Sequence, residues 1–288
     1  MLETNISRRG LLGTMTAALG AAAAGNALEA QEYHLGGADL KLGIASYSFR
    51  SFPREKAIAM AKELGTPYLS IKDFHLKMES TPAEIDAAKK EFADAGLQTT
   101  SCGNVSFQKD DEADIRSKFE YAKRAGFPLI VCAPTAVTLP KMEKYVKEYD
   151  IKIALHNHGP EDKHFPTPES VLKAVKNMDP RCGLCMDIGH TSRTGADIVK
   201  SIAEAGSRLL EMHVKDLSDP MVKESQVAVG DGKLPIPQIF LQLIKMKYNG
   251  YVNLEYEVHA DNPMPGMQKS FSYMRGVLAG IGASKFST

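Results

Sequence analysis

Eight short runs rich in β-branched and aliphatic residues alternate with amphipathic helical patterns along this chain, and no other feature restricts the fold as much. The runs are LGIASYSF from Leu42, YLSIKDFH from Tyr68, LQTTSCGNVSF from Leu97, PLIVCAP from Pro128, IKIALHNHG from Ile151, CGLCMDIGH from Cys182, LLEMHVKDL from Leu209 and YVNLEYEV from Tyr251. Successive starts fall 23 to 31 residues apart, except for an interval of 42 before the last. Between them, REKAIAMAKELG, PAEIDAAKKEFADAG, EADIRSKFEYAKRAG, PESVLKAVKNMD and ADIVKSIAEAG place apolar residues at i, i+3 and i+4. Several open on Pro, Thr or Asp and close on Gly65, Gly96, Gly126 or Gly206, residue types that start and stop helices. Strands separated by helices at this period pair in parallel, and eight units predict a closed (β/α)8 TIM barrel of α/β class. The alternative, an open doubly wound sheet, ordinarily carries a Gly-rich phosphate loop after its first strand, where this chain has SYSFRSFP.

A chain of 288 residues, 43% hydrophobic, can bury the core of one such barrel. The first 30 residues stand apart. Ser7-Arg8-Arg9-Gly10-Leu11-Leu12 precedes an uncharged Ala- and Gly-rich run to Ala24, which resembles a twin-arginine export signal with cleavage after Ala27 or Ala30. Residues 1–30 are therefore expected to be a signal peptide and residues 31–288 the barrel, with a periplasmic or otherwise exported location. The apolar run is too short and too small-sided for a stable membrane anchor. Twin-arginine substrates cross the membrane folded and often carry a cofactor, which suits a metal site.

Lys and Arg number 35, as do Asp and Glu, and no run of Lys or Arg exceeds two. That balance argues against nucleic acid as a partner and favours a small-molecule ligand. Cys102, Cys132, Cys182 and Cys185 are expected to be buried structural thiols. Cys182 and Cys185 have C-x-x-C spacing, but residues i and i+3 of a strand point to opposite faces.

In a TIM barrel the chemistry sits at the C-terminal ends of the strands. Here strand five ends in His156-Asn157-His158, strand six in Asp187-Ile188-Gly189-His190, strand seven in His213-Val214-Lys215-Asp216 and strand eight in Glu255-Tyr256-Glu257. Side chains alternate, so His156 and His158 share a face, as do His213 and Lys215, and Glu255 and Glu257. Leu155, Val214 and Leu254 then face the outer helices. Four adjacent strands would bring His156, Asp187, His213 and Glu255 around one point, a two-imidazole, two-carboxylate shell for one divalent ion, suited to Zn²⁺, Mn²⁺ or Fe²⁺. Singly, each has a plainer role: a hydrogen-bonded wall histidine, an N-cap at Asp187, an ion pair between Glu255 and Lys215.

Asp187-Ile-Gly-His190, His213-Val-Lys-Asp216, Val229-Gly-Asp-Gly232 followed by Ile236-Pro-Gln-Ile-Phe, and Tyr248-Asn-Gly-Tyr251 leading to Leu254-Glu255 resemble the xylose-isomerase-like sugar phosphate isomerase/epimerase family, the AP endonuclease 2-type TIM barrel. The resemblance covers essentially all of the chain after the signal and is strongest from Ile151 to Glu257. It implies one divalent metal held by Asp187, His213 and Glu255, with His190 contacting substrate. Where the family has Leu-Glu-Asn-His, this chain has Leu155-His156-Asn157-His158, so His156 stands at the position of the first metal-binding Glu. That removes one negative charge and one of the two carboxylate bases used for epimerisation, and it moves metal preference toward Zn²⁺ or Fe²⁺.

The implied chemistry is proton abstraction beside the carbonyl of a keto-sugar or related saccharide, through an enediolate that the metal stabilises. Glu255, His158 and His190 are the expected catalytic residues. Lys215, Lys72, His75, Asn104 and Glu257 are expected to bind substrate, with Phe49, Phe74 and Phe107 as apolar walls. His164, in the loop Glu161-Asp162-Lys163-His164, is expected to be no ligand. Reprotonation makes an isomerase or epimerase; loss of a β substituent makes a lyase of the inosose-dehydratase or 3-keto-glycoside type. Family members form dimers or tetramers, which leaves a homo-oligomer open. AP endonucleases share the barrel but use a multi-zinc cluster with early-strand histidines and a basic face, and here His75 alone comes from the early strands. A non-catalytic periplasmic sugar-binding barrel is the remaining alternative.

Overall fold

The computed structural model describes residues 40–284. The twin-arginine stretch and its cleavage positions lie outside the described residues.

Each expected strand forms, because each run has the length and side-chain shape of a strand buried on both faces. They are β1 (Lys41–Ala45), β2 (Tyr68–Ile71), β3 (Gln98–Phe107), β4 (Leu129–Pro134), β5 (Lys152–His156), β6 (Cys182–Asp187) and β7 (Leu209–Val214). A short antiparallel pair, β8 (Asp216–Leu217) and β9 (Gln226–Val227), precedes the eighth barrel strand, β10 (Tyr251–Leu254). The barrel closes in the order β1-β10-β7-β6-β5-β4-β3-β2, each pair parallel. The outer layer contains α1 (Arg54–Glu63), α2 (Pro82–Asp94), α3 (Glu112–Ala125), α4 (Thr138–Tyr149), α5 (Pro168–Val175), α6 (Ile188–Arg193), α7 (Ile198–Ala205), α8 (Ile236–Lys245) and α9 (Met264–Ser284).

Local signals explain the boundaries. Thr81 caps α2 with a reciprocal Thr81–Glu84 box, and Asp111 accepts from Ala113 and Asp114 at the start of α3. Gly126 ends α3 in the left-handed conformation, φ +79°, which a side chain would oppose. No described helix is long and apolar enough to cross a membrane.

The 42-residue interval holds the β8–β9 ribbon and the Val229–Gly232 segment. Both are organised by the buried Asp216 carboxylate, which accepts from the backbone N–H of Leu217, Gly230, Gly232 and Leu234 at 2.9–3.2 Å. A Cβ at Gly232 would lie 2.1 Å from Asp216 Oδ1, so the loop closes over this carboxylate only with glycine there. Two motifs of the sequence are thus one folded unit that supports the end of β10.

Leu155, Val214 and Leu254 pack outward into the helix-facing core. Cys182 joins that layer, whereas Cys185 lies inside the barrel with Leu129, Val131 and Ala154. All four thiols are free and buried. Phe49 and Phe107 are also fully buried, Phe107 against Phe119, and so form no wall of a ligand site; Phe74 alone of the three expected aromatic walls is exposed.

Candidate metal and active site

Strand register brings the four expected donors to one place. Asp187 pairs with His213 across β6 and β7, His156 with Cys185 across β5 and β6, and Glu255 N–H donates to Val214 O from the end of β10. His156 Nε2 lies 3.0 Å from His213 Nδ1 and 3.7 Å from Asp187 Oδ2, and His213 Nδ1 lies 3.3 Å from Glu255 Oε2. One donor atom from each of the four falls within 4.8 Å of the others.

Lys215 enters the same space. Its Nζ is 3.0 Å from both Asp187 Oδ2 and Glu255 Oε2 and also contacts Glu257. Burial alone would lower the lysine pKa, but Asp187, Glu255 and Glu257 hold it well above the ordinary value, so it is an ammonium. Burial alone would likewise raise the Glu255 carboxyl, but Lys215, then His213, holds it well below the usual range. His156 is pushed far below 6.5 by burial and by His158 and His213, and is neutral.

Around this centre, His158 Nε2 meets Asn104 Nδ2 at 2.9 Å, and its Nδ1 lies 3.4 Å from Asp162. Lys72 Nζ donates to Asn104 O at 2.8 Å, which joins the second and third strands to this wall. The His158 and His190 rings lie 4.3 and 5.7 Å from the His156 ring. His190 is lowered to about 4, chiefly by burial. Its Nδ1 faces the Arg193 guanidinium at 2.7 Å, and a guanidinium only donates, so Nδ1 accepts and the proton resides on Nε2.

His75 is placed differently. β2 ends at Ile71, a turn follows, and His75 Nε2 meets the Phe52 carbonyl at 3.1 Å in a site 2% exposed. The structure does not bring it to the four-donor group. His164 is exposed; its N–H donates to Asp162 Oδ1, consistent with the loop role expected of it.

Sequence reasoning missed several supports. Asn157, between the two histidines but facing the other way, accepts from Asp187 N–H at 3.0 Å and donates to Thr191 at 3.1 Å, fixing the end of β6. Arg193 is buried and pairs with Glu161 at 2.5 Å while holding His190. Gln226 donates to Glu255 O and accepts from Glu257 N–H, bracing β10. Asn157 was detectable by strand parity; Arg193 and Gln226 depend on loop packing that has no short sequence signature.

A model of the xylose isomerase-like TIM barrel family matches residues 58–277. The chain belongs to that family. It is 26% identical over 161 residues to the inosose dehydratase of Mesomycoplasma hyopneumoniae strain 7448, covering 49% of this chain and 53% of that one. It thus spans about half the length of the curated relatives it matches. Among solved structures, the zinc-bound IolI protein superposes with a TM-score of 0.71 at 18% identity, over 84% of this chain and 99% of that one. The 3-keto-D-glucoside 4-epimerase YcjR of E. coli superposes at 0.67 with 17% identity, over 83% of this chain and 100% of that one. These likenesses in structure are likenesses of fold.

The donor set suits the divalent ion that such a family implies. Asp187 Oδ2 is buried without a hydrogen-bond partner, beside the His156 Nε2 and His213 Nδ1 atoms that face each other and Glu255. Bonds of about 2.0–2.1 Å to a tetrahedral ion put its ligand atoms about 3.4 Å apart. The contacts of 3.0, 3.3 and 3.7 Å bracket that value.

Proposed function

We propose that this protein is a divalent-metal-dependent enzyme that removes a proton beside the carbonyl of a keto-sugar or keto-polyol, with loss of a β-hydroxyl as the favoured outcome. The observation that carries the reading is the convergence of His156, Asp187, His213 and Glu255 at the C-terminal mouth of the barrel, with the Lys215 ammonium against Glu255. Bound by these four residues, Zn²⁺, Mn²⁺ or Fe²⁺ would supply a Lewis acid that polarises the oxygen next to the reacting carbon.

The chain's own groups divide the remaining work. Glu255, kept ionised by Lys215, accepts the proton. His158, partly exposed at the mouth between Asn104 and Asp162, hands a proton to the departing hydroxyl. His190 presents Nε2–H to a substrate oxygen. Lys215, Glu257, Lys72 and Asn104 bind hydroxyls. The inosose dehydratases among the curated relatives support elimination over other outcomes.

Epimerisation is the second reading, favoured by one feature: Glu255 after β10 and His158 after β5 stand on walls separated by β6 and β7, so one can take a proton and the other return it elsewhere. Incubation of the metal-loaded protein with inososes, ketohexoses and 3-keto-glycosides in D₂O tests both. Deuterium at the carbon beside the carbonyl, absent with Glu255→Gln, is expected; a dehydrated product identifies a lyase and an inverted centre an epimerase. Neither exchange nor product on the whole panel would sink the reading and leave a sugar-binding barrel. The Arg8-Arg9 pair supports export, and Arg8→Lys with Arg9→Lys should leave precursor in the cytoplasm; unchanged export would refute a twin-arginine route.

A further inference from the structure

Glu211 lies two residues before His213 on β7, inside the barrel and directly beneath the four-donor group, and is fully buried. Ser101 Oγ bonds its Oε1 at 3.0 Å and Ser70 Oγ at 2.7 Å; Oε2 has no partner. No ion pair joins Glu211 to a Lys or Arg among the described residues. Among the described residues the one basic side chain paired with it is His213, whose Nε2 stands 3.5 Å from Oε1 and makes no hydrogen bond of its own. The other end of that ring, Nδ1, faces His156 and Glu255. His213 therefore sits between the candidate cation position and a sequestered carboxylate.

A carboxylate held in a barrel interior with one serine and an open lone pair is a poor structural choice, because burial of an uncompensated charge costs more than such bonds return. Glutamine would fill the same space without the charge. We infer that Glu211 is a positioning residue for metal binding: it takes the Nε2–H of His213 and fixes the tautomer that leaves a lone pair at Nδ1, the atom that faces the candidate ion position. Carboxylate partners of this kind orient a ligating imidazole and strengthen its donor atom. This rests on the reading of His213 as a ligand, so both are tested together.

The metal-free protein, the full chain, is titrated with Zn²⁺ and Co²⁺ in wild type, Glu211→Gln and Ser101→Ala, with Co²⁺ visible absorption and the Tm of each metal-free form recorded. Glu211→Gln is expected to weaken binding about 10- to 100-fold, to shift the Co²⁺ bands, and to leave the metal-free Tm unchanged or higher. Ser101→Ala keeps the carboxylate and should lose far less affinity. Wild-type affinity and spectrum in Glu211→Gln, or an affinity loss matched by a fall in metal-free Tm, overturns the assignment. If Glu211→Gln fails to fold, Glu211→Asp keeps the charge but withdraws it from Nε2; it should show the same spectral shift, and an unchanged spectrum overturns the assignment. Failure of wild type to bind either ion overturns the ligand reading itself, and the Glu211 role with it.

Discussion

The Nζ of Lys215 lies 3.0 Å from Oε2 of Glu255, in a site where the lysine side chain is 5% exposed. The same ammonium reaches Asp187 Oδ2 at 3.0 Å, so one cation holds together carboxylates from β6 and β10. Removal of a buried partner leaves the other charges uncompensated, typically at about 3–5 kcal/mol. Lys215→Met should therefore destabilise the metal-free protein by an amount of that order in urea denaturation. Zn²⁺ should then restore more stability to the variant than it adds to wild type; a variant as stable as wild type without metal would show that the pair contributes little.

Gly189 is the position where the Asp-Ile-Gly-His motif meets Lys215. An added Cβ would lie 2.7 Å from Lys215 Cγ and Cδ, in the middle of a stem whose head is pinned by three carboxylates. Gly189→Ala is expected to cost about 1–3 kcal/mol by overpacking and to reduce turnover by drawing Nζ from Glu255. Stability measured by denaturation and kcat on the reactive substrate check this; no change in either would mean that the stem has room.

Burial lowers the pKa of His75 below 6.5, against the raising effect of its bond to Phe52 O. A histidine whose folded pKa is depressed contributes stability above the unfolded value and loses it as pH falls through the folded one. The loss should begin near pH 6.5 and proceed at no more than about 1.4 kcal/mol per pH unit. His75→Gln should flatten that part of the stability curve between pH 6.5 and 5. An identical slope in the variant would place the proton uptake elsewhere.

The barrel was legible because each strand is a continuous buried run and each helix carries its own punctuation, so register and closure needed no long-range information. The convergence of His156, Asp187, His213 and Glu255 was legible for a related reason: strand parity and the rule that chemistry lies at strand ends bring the four to one place, as the structure does. The same parity, carried two residues down β7, would have marked Glu211 as inward. His75 was read as lying at the end of the second strand, whereas β2 ends at Ile71 and the turn that follows carries its ring to the Phe52 carbonyl. Phe49 and Phe107 were misassigned because aromatic character alone does not distinguish a pocket wall from core. Arg193 became visible only when α6 and the loop after β5 were packed together.

Burial raises the Cys182 and Cys185 thiols to about 12. Both, with Cys102 and Cys132, should then be neutral at pH 8 and unreactive toward a thiol-specific disulfide reagent. Four thiols should titrate only after unfolding in denaturant. Rapid labelling of the native protein would contradict their burial.

The proposed chemistry depends on an ion held by His156, Asp187, His213 and Glu255. Metal content of the full chain, after loading with Zn²⁺, Mn²⁺ or Fe²⁺ and removal of the excess, is the most direct measure, with Asp187→Asn and His213→Ala beside wild type. About one ion per chain in wild type, and a small fraction of that in either variant, is the predicted result. Wild type without stoichiometric metal, or variants that retain it in full, would contradict the four-residue centre.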